Sequence, residues 1–201
     1  QIGDVLITTS LLKNIKLNFP DSKVDIVVYD YCSGVVENNP YIDKIITINE
    51  KERNSFFKLY LKMAKLRKEK YDYSIDLLAD VRSALIGVCA GAKERIVAKK
   101  NKLRNMMFYT KRVENSKKNV CEYRNYLLTA ISSNLKFENE VKIYLKDEES
   151  RVLKERMEEN GVDFSKPVAA FGINSRRAYK IWNLDYFVEV IDYLTEKYGF
   201  Q

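Results

Sequence analysis

Histidine is absent from this sequence of 201 residues. Histidine is the commonest general base near neutral pH and a frequent metal ligand, so acid–base chemistry within these residues falls to Asp, Glu, Lys, Tyr or Cys. Cysteine is scarce, because only Cys32, Cys89 and Cys121 occur, at wide spacing and without a CxxC pair. No close carboxylate cluster of the DxD type is present either. We therefore expect no metal site, no secreted disulfide framework and a reducing, cytoplasmic compartment.

Long hydrophobic runs are also missing, since no stretch approaches the roughly 18 consecutive apolar residues that a membrane span requires. Glycine and proline are few, with 7 and 3 residues, whereas 46% of the residues are apolar and 31% are charged. This composition is typical of a folded globular protein, and the length permits one large domain or two smaller ones. The chain begins with Gln1 rather than Met, and we expect that further residues precede it.

The net charge of the chain is +7, from 35 basic and 28 acidic residues. The positive excess is concentrated in one region, whose basic residues are Lys93, Arg95, Lys99, Lys100, Lys102, Arg104, Lys111, Arg112, Lys117 and Lys118. Such a region favours an anionic partner, such as nucleic acid, a phosphorylated glycolipid or lipid headgroups, and a solvated loop explains it equally well. No recognised nucleic-acid motif accompanies the charge, which argues against nucleic acid as the partner.

Short β-branched runs alternate with helical patterns along the first half of the chain. They predict strands at 24–29, 44–48, 73–78 and 95–97, and helices at 5–19, 35–36, 54–70 and 83–90. This alternation is typical of βαβ units, so we predict an α/β fold with a Rossmann-like parallel sheet and a ligand cleft at the carboxyl ends of the strands. The helix that starts near Asp4 has no strand before it, and we expect the missing leader to supply one.

The second half of the chain continues with helices, predicted at 120–135 and 147–160, the latter ending at Gly161. A strand at 167–173, a polar loop at 174–179 and an amphipathic helix at 185–198 follow. We therefore predict a Rossmann-like domain over 1–145. A linker helix and the start of a second Rossmann-like domain are predicted over 146–201.

Ordered segments along nearly the whole chain carry a family resemblance. They are Ile2-Gly3-Asp4-Val5-Leu6-Ile7-Thr8-Thr9 with Leu11-Leu12 and Phe19-Pro20-Asp21, then Asn39-Pro40-Tyr41-Ile42-Asp43, then Tyr71-Asp72-Tyr73-Ser74-Ile75-Asp76-Leu77, and finally Lys180-Ile181-Trp182-Asn183-Leu184-Asp185-Tyr186-Phe187. Together they resemble glycosyltransferase family 9, the lipopolysaccharide heptosyltransferases. The resemblance implies a chain truncated at both ends, from a GT-B type enzyme with two facing Rossmann-like halves.

The resemblance further implies an inverting transferase that moves a heptose from a nucleotide-diphosphate donor, ADP-heptose, to the inner core of lipopolysaccharide. The amino-terminal half would hold the lipid acceptor and the carboxyl-terminal half the donor, with no cofactor and no metal. The enzyme would act in the cytoplasm, with peripheral contact to the inner membrane. Another GT-B glycosyltransferase of surface glycan synthesis shares every residue quoted, and a non-enzymatic basic nucleic-acid binder is the third alternative.

Asp4 is the first candidate catalytic residue. It lies where a first strand would turn into the first helix, in the predicted cleft and beside the positive end of the helix dipole. By resemblance, Asp4 matches the aspartate proposed as the general base that takes the proton from the acceptor hydroxyl. The alternative is an ordinary N-terminal helix cap.

Lys180 is the second candidate, since by resemblance it matches a lysine near the donor diphosphate, where a fixed cation offsets the charge of the leaving group. Ser175 and the preceding Asn174 match the polar loop that hydrogen-bonds a phosphate oxygen, so these three residues are the candidate donor site. Arg176 stands where a second hydroxyl residue is usual in the family. A surface lysine and a plain loop serine are the alternatives for Lys180 and Ser175.

Asp76, Asp80 and Arg82 follow a predicted strand and are weaker candidates for the acceptor side, because residues at such positions often cap the next helix. The GxGxxG and GxxxxGK[ST] motifs are absent, which argues against a nicotinamide dehydrogenase and a phosphate-cradling ATPase. Tyrosines beside the strands, such as Tyr29 and Tyr31, are interpreted as packing residues rather than as stacking platforms.

Overall fold

The computed structural model describes residues 1–99, 107–175 and 177–201. The chain forms two compact units, Gln1–Tyr144 and Leu145–Gln201. Four of the basic or loop residues considered above, Lys100, Lys102, Arg104 and Arg176, lie outside the described residues.

The first unit alternates helices and strands. Its elements are α1 (Ile2–Asn18), β1 (Asp25–Tyr29), a 3-10 helix (Asp30–Val35), β2 (Lys44–Ile48), α2 (Glu50–Arg53), α3 (Phe56–Ala64), a 3-10 helix (Lys65–Glu69), β3 (Tyr73–Asp76), α4 (Val81–Cys89), β4 (Glu94–Ala98), β5 (Lys111–Val113), α5 (Val120–Asn125) and a 3-10 helix (Tyr126–Ala130). The second unit contains α6 (Asp147–Glu159), a 3-10 helix (Ala178–Lys180) and α7 (Leu184–Tyr198).

Every strand pairing among the described residues is parallel. Strand β1 pairs with β2 from Asp25 opposite Lys44 to Tyr29 opposite Ile48. Strand β4 lies between β3 and β5 in a separate three-stranded sheet. The predicted α/β fold with a Rossmann-like parallel sheet is therefore confirmed, and the carboxyl ends of neighbouring strands meet at one edge of each sheet.

The core lies between the strands and the helices that cover them. Ile46 and Ile48 of β2 pack with Leu59 and Met63 of α3, whose exposed fractions are only 3% and 0%. Burial of one such side chain contributes about 1.5–3 kcal/mol to stability. The β-branched residues of the strands thus hold the helices at fixed places, which in turn fixes the loops at the carboxyl edge.

Three predicted elements have limits that differ from the observed ones, and side-chain hydrogen bonds set the start of α3 and the end of β3. The predicted helix at 54–70 starts only after Ser55, which caps α3, and it tightens into a 3-10 turn that ends at Lys70 in a left-handed conformation. The helix predicted at 120–135 likewise becomes α5 and a 3-10 turn. Strand β3 stops at Asp76, because its carboxylate accepts hydrogen bonds from the backbone N–H groups of Leu78 and Ala79 and turns the chain.

The strand predicted at 167–173 is wrong. A strand requires a neighbour to satisfy its backbone groups, and the described residues of the second unit contain no strand with which this segment could pair. Its backbone instead exchanges two hydrogen bonds with Gln201, from Ala169 N–H to the Gln201 carbonyl and from Gln201 N–H to the Pro167 carbonyl. Strand β5 and the short helix α2 were not predicted. The first has only three residues, and the second depends on a capping box between Asn49 and Glu52.

Much of the basic region is engaged within the protein. Lys93 forms an ion pair with Asp72 at 2.7 Å, and the Arg95 guanidinium donates hydrogen bonds to the carbonyls of Phe108 and Ala92. Lys111 donates to the Ala130 carbonyl at 3.0 Å. These contacts support a structural role for part of this charge.

Candidate active site

Asp4 lies in the first turn of α1, where the positive end of the helix dipole favours a carboxylate. It does not occupy the N-cap position, which Gln1 holds. The Asp4 carboxylate instead accepts a hydrogen bond from Nη2 of Arg124 at 2.9 Å and remains 45% exposed. A carboxylate that is oriented by a neighbour and remains partly exposed can accept a proton from a bound molecule.

Arg124 is the residue that sequence reasoning missed. Arg124 is only 8% exposed. Its Nη1 donates hydrogen bonds to the hydroxyl of Thr8 at 2.9 Å and to the backbone carbonyl of Asp4. A guanidinium is a rigid planar fork, so these contacts fix the direction of the Asp4 carboxylate. The two residues are separated by 120 positions, and no local pattern in the sequence signals their contact.

A polar seam between α1 and α5 supports this ion pair. The Asn125 side chain donates to the hydroxyl of Ser10 at 2.9 Å, and the Asn14 side chain donates to the backbone carbonyl of Glu138 at 2.7 Å. Ser10, Asn14 and Asn125 are all buried. Because buried polar groups are costly unless they are paired, this seam specifies one arrangement of α1 against α5 and hence of Asp4 against Arg124.

A cavity of about 160 Å³ lies at the carboxyl ends of β3 and β4. The cavity is lined by Asp76, Leu77, Ala79, Val97, Ala98, Val120, Tyr123, Arg124 and Leu127. Arg124 therefore connects the predicted residues Asp4 and Asp76, since it binds the first and lines the cavity beside the second. The cavity lies where ligands bind in parallel α/β sheets.

Asp76 has a full set of partners at the wall of this cavity. One carboxylate oxygen accepts from the backbone N–H groups of Leu78 and Ala79, at 2.9 and 3.0 Å, and the other accepts from the Tyr109 hydroxyl at 2.5 Å. Burial and then this hydrogen bond raise the pKa of Tyr109 above its ordinary value, so Tyr109 stays a neutral donor. Ala79 has a φ of +57°, a left-handed conformation that is unfavourable for alanine and is often found beside functional sites.

Asp80 and Arg82, the other predicted acceptor-side residues, have structural contacts of their own. Asp80 is the N-cap of α4, and its carboxylate accepts from the backbone N–H of Ser83 at 2.8 Å. The Arg82 guanidinium lies 5.6 Å from the centre of the Phe56 ring, in a cation–π contact. A role in acceptor binding stays a prediction for both residues.

A second cavity, of about 250 Å³, lies at the carboxyl ends of β1 and β2. The rings of Tyr29 and Tyr31 stack beside it, with centres 5.7 Å apart and planes 8° from parallel. Arg53 approaches the Tyr29 ring to 5.7 Å, and Tyr31 is 56% exposed. The sequence interpretation of Tyr31 as a packing residue misses this exposed aromatic surface.

The predicted donor-site residues belong to the second unit. The Asn174 side chain accepts from the backbone N–H of Ser175 at 2.8 Å, and the Ser175 hydroxyl accepts from the backbone N–H of Arg177 at 3.4 Å. Lys180 is exposed at the end of the 3-10 helix that follows, and Trp182 packs its ring against Phe187. The donor role of Asn174, Ser175 and Lys180 stays a prediction.

Residues 1–99, 107–175 and 177–201 contain neither a metal-binding cluster nor a membrane-spanning helix. No group of three or more His, Cys, Asp or Glu side chains in these ranges is placed to hold a metal ion. No helix in the same ranges is both long enough and apolar enough to cross a membrane.

Known proteins share this sequence pattern and fold. The sequence profile of glycosyltransferase family 9 (heptosyltransferase) matches residues 61–200. Lipopolysaccharide heptosyltransferase 3 of Escherichia coli (strain K12) is 33% identical over 97 residues, which cover 47% of this chain and 28% of that protein.

Solved structures extend the similarity over the whole chain. The glycosyltransferase family 9 structure from Veillonella parvula DSM 2008 covers 100% of this chain with a TM-score of 0.85 and 22% identity. The Escherichia coli ADP-heptose lipopolysaccharide heptosyltransferase II covers 98% with a TM-score of 0.71 and 15% identity. The chain spans 59% of the length of each structure. Since the family profile matches well over half of its residues, the chain belongs to glycosyltransferase family 9, the heptosyltransferase family.

Proposed function

We propose that the whole protein is an inverting glycosyltransferase that moves a heptose from ADP-heptose to the inner core of lipopolysaccharide. Membership of the family supports the reaction class. Two similar proteins, a lipopolysaccharide heptosyltransferase 3 and an ADP-heptose lipopolysaccharide heptosyltransferase II, support ADP-heptose as the donor and lipopolysaccharide as the product. The observation that carries the proposal is the Asp4 carboxylate, which is oriented by a buried arginine beside a cavity at the carboxyl edge of the strands.

Asp4 is the general base of the proposed reaction. The acceptor hydroxyl transfers its proton to the Asp4 carboxylate while its oxygen attacks the anomeric carbon of the donor heptose. The bond from that carbon to the phosphate oxygen breaks, and the nucleoside diphosphate leaves with the electron pair. Attack on the opposite side from the leaving group inverts the anomeric carbon. Arg124 is a positioning residue, because it acts through Asp4.

The leaving diphosphate requires positive charge, which we assign to Lys180 without a metal ion. Asn174 and Ser175 donate hydrogen bonds to phosphate oxygens in this proposal. Residues 1–145 form the acceptor-binding domain, in which Asp76, Asp80 and Arg82 contribute to the acceptor side. Residues 146–201 form a linker helix and the start of the donor-binding domain, and the enzyme acts on the cytoplasmic face of the inner membrane.

A donor panel tests the proposed reaction. Full-length protein is incubated with a lipopolysaccharide acceptor that lacks inner-core heptose and with ADP-heptose or other nucleotide sugars, and the product is identified by mass spectrometry. We expect a product heavier by one heptose from ADP-heptose alone. Transfer of a different sugar to another surface glycan would contradict the heptose assignment and would favour another GT-B glycosyltransferase.

Substitution of Lys180 tests the donor side. Loss of a cation that contacts phosphate in a closed cleft costs about 1.5–3 kcal/mol, so Lys180→Ala is expected to weaken donor binding and turnover about ten- to hundredfold. Lys166→Ala, at an exposed position of the same unit, is the matched control. Donor Kd and kcat are measured with and without EDTA. Loss of wild-type activity in EDTA, or an unchanged Lys180→Ala variant, would overturn this assignment.

A further inference from the structure

Helix α3 has apolar residues on two sides. Leu59 and Met63 are buried in the core, as is usual for a helix that covers a sheet. A second set of large apolar side chains lies at the surface. Its members are Phe56, Phe57, Tyr60 and Leu61, which are 58%, 70%, 46% and 46% exposed. Single exposed apolar residues are common, whereas a contiguous exposed patch usually marks an interaction site.

The spacing of these four residues makes the patch continuous. Positions i, i+1, i+4 and i+5 lie on one side of an α-helix, so two aromatic rings of the first turn are followed by a tyrosine and a leucine of the second. The patch has the composition of a helix that lies in the plane of a membrane interface, where aromatic rings reach the boundary between headgroups and acyl chains.

Positive charge surrounds this patch. Lys58 is exposed on α3, and Lys65 and Lys68 are exposed on the 3-10 helix that follows it. The Arg82 guanidinium lies over the Phe56 ring at 5.6 Å. Lys62 donates hydrogen bonds to both carboxylate oxygens of Glu52, at 2.8–2.9 Å. A cationic border around an apolar patch complements a surface of anionic phospholipid.

The patch lies at the same edge of the unit as the candidate site. Arg82 belongs to the first turn of α4, which follows the carboxyl end of β3, and it contacts Phe56 at the start of α3. Arg53, just before α3, lines the cavity at the carboxyl ends of β1 and β2. A lipid surface on this side would lie near both cavities of the first unit.

We propose that Phe56, Phe57, Tyr60 and Leu61, with their basic border, dock the protein on an anionic phospholipid membrane. The inference that docking brings the enzyme to a lipid-linked acceptor rests on the proposed function. The docking itself does not depend on catalysis, and it is measured by vesicle binding without any donor or acceptor. A failed transfer assay with intact vesicle binding, or the reverse, therefore separates the two proposals.

Vesicle sedimentation of the full-length protein tests the proposal. We expect the protein to sediment with vesicles of phosphatidylcholine and phosphatidylglycerol and to bind phosphatidylcholine alone at least about tenfold more weakly. The double variant Phe56→Ser/Phe57→Ser is expected to lose at least about tenfold in affinity for the anionic vesicles. Phe137→Ser, which changes a 42% exposed aromatic residue elsewhere in the unit, is the matched control and is expected to bind normally.

A second measurement keeps the result independent of variant folding. Brominated phosphatidylcholine in anionic vesicles is expected to quench the tryptophan fluorescence of the Phe57→Trp variant. This quenching should exceed that of the wild-type protein, whose native tryptophan is Trp182. Equal quenching of the variant and the wild type would overturn the proposal. Equal vesicle binding by the Phe56→Ser/Phe57→Ser variant would also overturn it. Loss of self-association in that variant, without vesicle binding by the wild type, would assign the patch to a second copy of the chain instead.

Discussion

The Asp4 carboxylate owes its orientation to a residue far away in sequence. The resemblance identified Asp4 as a candidate base, but it did not identify Arg124, which lies on α5 and donates hydrogen bonds directly to Asp4 and Thr8 of α1. A buried seam of Ser10, Asn14 and Asn125 lies beside this contact. Hydrophobic periodicity cannot predict such a contact, because the residues of the seam are polar and far apart in the chain. The candidate site was thus only half predictable from the sequence.

Arg124→Lys tests the positioning role in the full-length protein. Lysine keeps the charge, but its N–H donors share one nitrogen at the end of a flexible stem. It therefore cannot replace the planar fork whose two nitrogens bind the Asp4 carboxylate, the Asp4 carbonyl and the Thr8 hydroxyl. We expect kcat to fall about ten- to hundredfold, with donor Kd and acceptor KM little changed. Arg151→Lys, at an exposed arginine, is the control.

A double-mutant cycle gives a readout that a merely structural role would not produce. Since Arg124 acts through Asp4, the double variant Asp4→Ala/Arg124→Lys is expected to be no slower than Asp4→Ala alone. Additive losses would show that the two residues act separately, and would contradict the positioning role.

The raised pKa of Tyr109 predicts that the folded protein loses stability at alkaline pH. Burial and the hydrogen bond to Asp76 raise the pKa of Tyr109, so the folded protein holds this proton at higher pH than the unfolded chain, whose tyrosines titrate near about 10. The stabilisation is complete below about pH 10 and is lost as the pH rises further.

Urea unfolding across this alkaline range measures the effect. The difference in free energy of unfolding between the wild type and Tyr109→Phe is expected to shrink as the pH rises above about 10. Tyr179→Phe, at a residue that is 77% exposed, is expected to follow the wild-type curve. A constant difference between the wild type and Tyr109→Phe at all pH values would argue against this coupling.

At the scale of whole elements, the strands were more predictable than the helix ends. Strands β1 and β2 are β-branched runs that pack on buried neighbours, and such runs leave a clear pattern. The limits of α3 and β3 depend on single side chains, those of Ser55 and Asp76, which bind backbone N–H groups. The segment 167–173 has the composition of a strand, but strand formation also depends on a partner that composition does not supply.

Substitutions at Asp80, the N-cap of α4, distinguish a capping role from a role in acceptor binding. Asn keeps an acceptor oxygen for the Ser83 N–H, whereas Ala removes it. We expect Asp80→Ala to lower the free energy of unfolding by about 1 kcal/mol and Asp80→Asn to leave it nearly unchanged. Thermal and urea unfolding measure both. Equal destabilisation by the two substitutions would contradict the capping role, and loss of acceptor affinity in a stable Asp80→Asn protein would support the acceptor-side proposal.

At the scale of the whole molecule, the chain spans 59% of the length of two family structures. Its first unit carries the ion pair, both cavities and the exposed face of α3, and its second unit carries the polar loop with Lys180. The family was predictable from the sequence, because the segments that carry the resemblance occur in order in both units. The contacts that orient the site join residues as far apart in the chain as Asp4 and Arg124, so no local sequence pattern predicts them.

The proposed mechanism depends on transfer of the acceptor hydroxyl proton to Asp4, which the Asp4→Ala variant tests. The kcat of heptose transfer and the Kd of the donor are determined for wild-type and Asp4→Ala full-length protein. A lost general base is expected to lower kcat on the order of a hundredfold or more and to leave donor affinity nearly unchanged. Near-normal turnover by a folded Asp4→Ala protein would contradict the account.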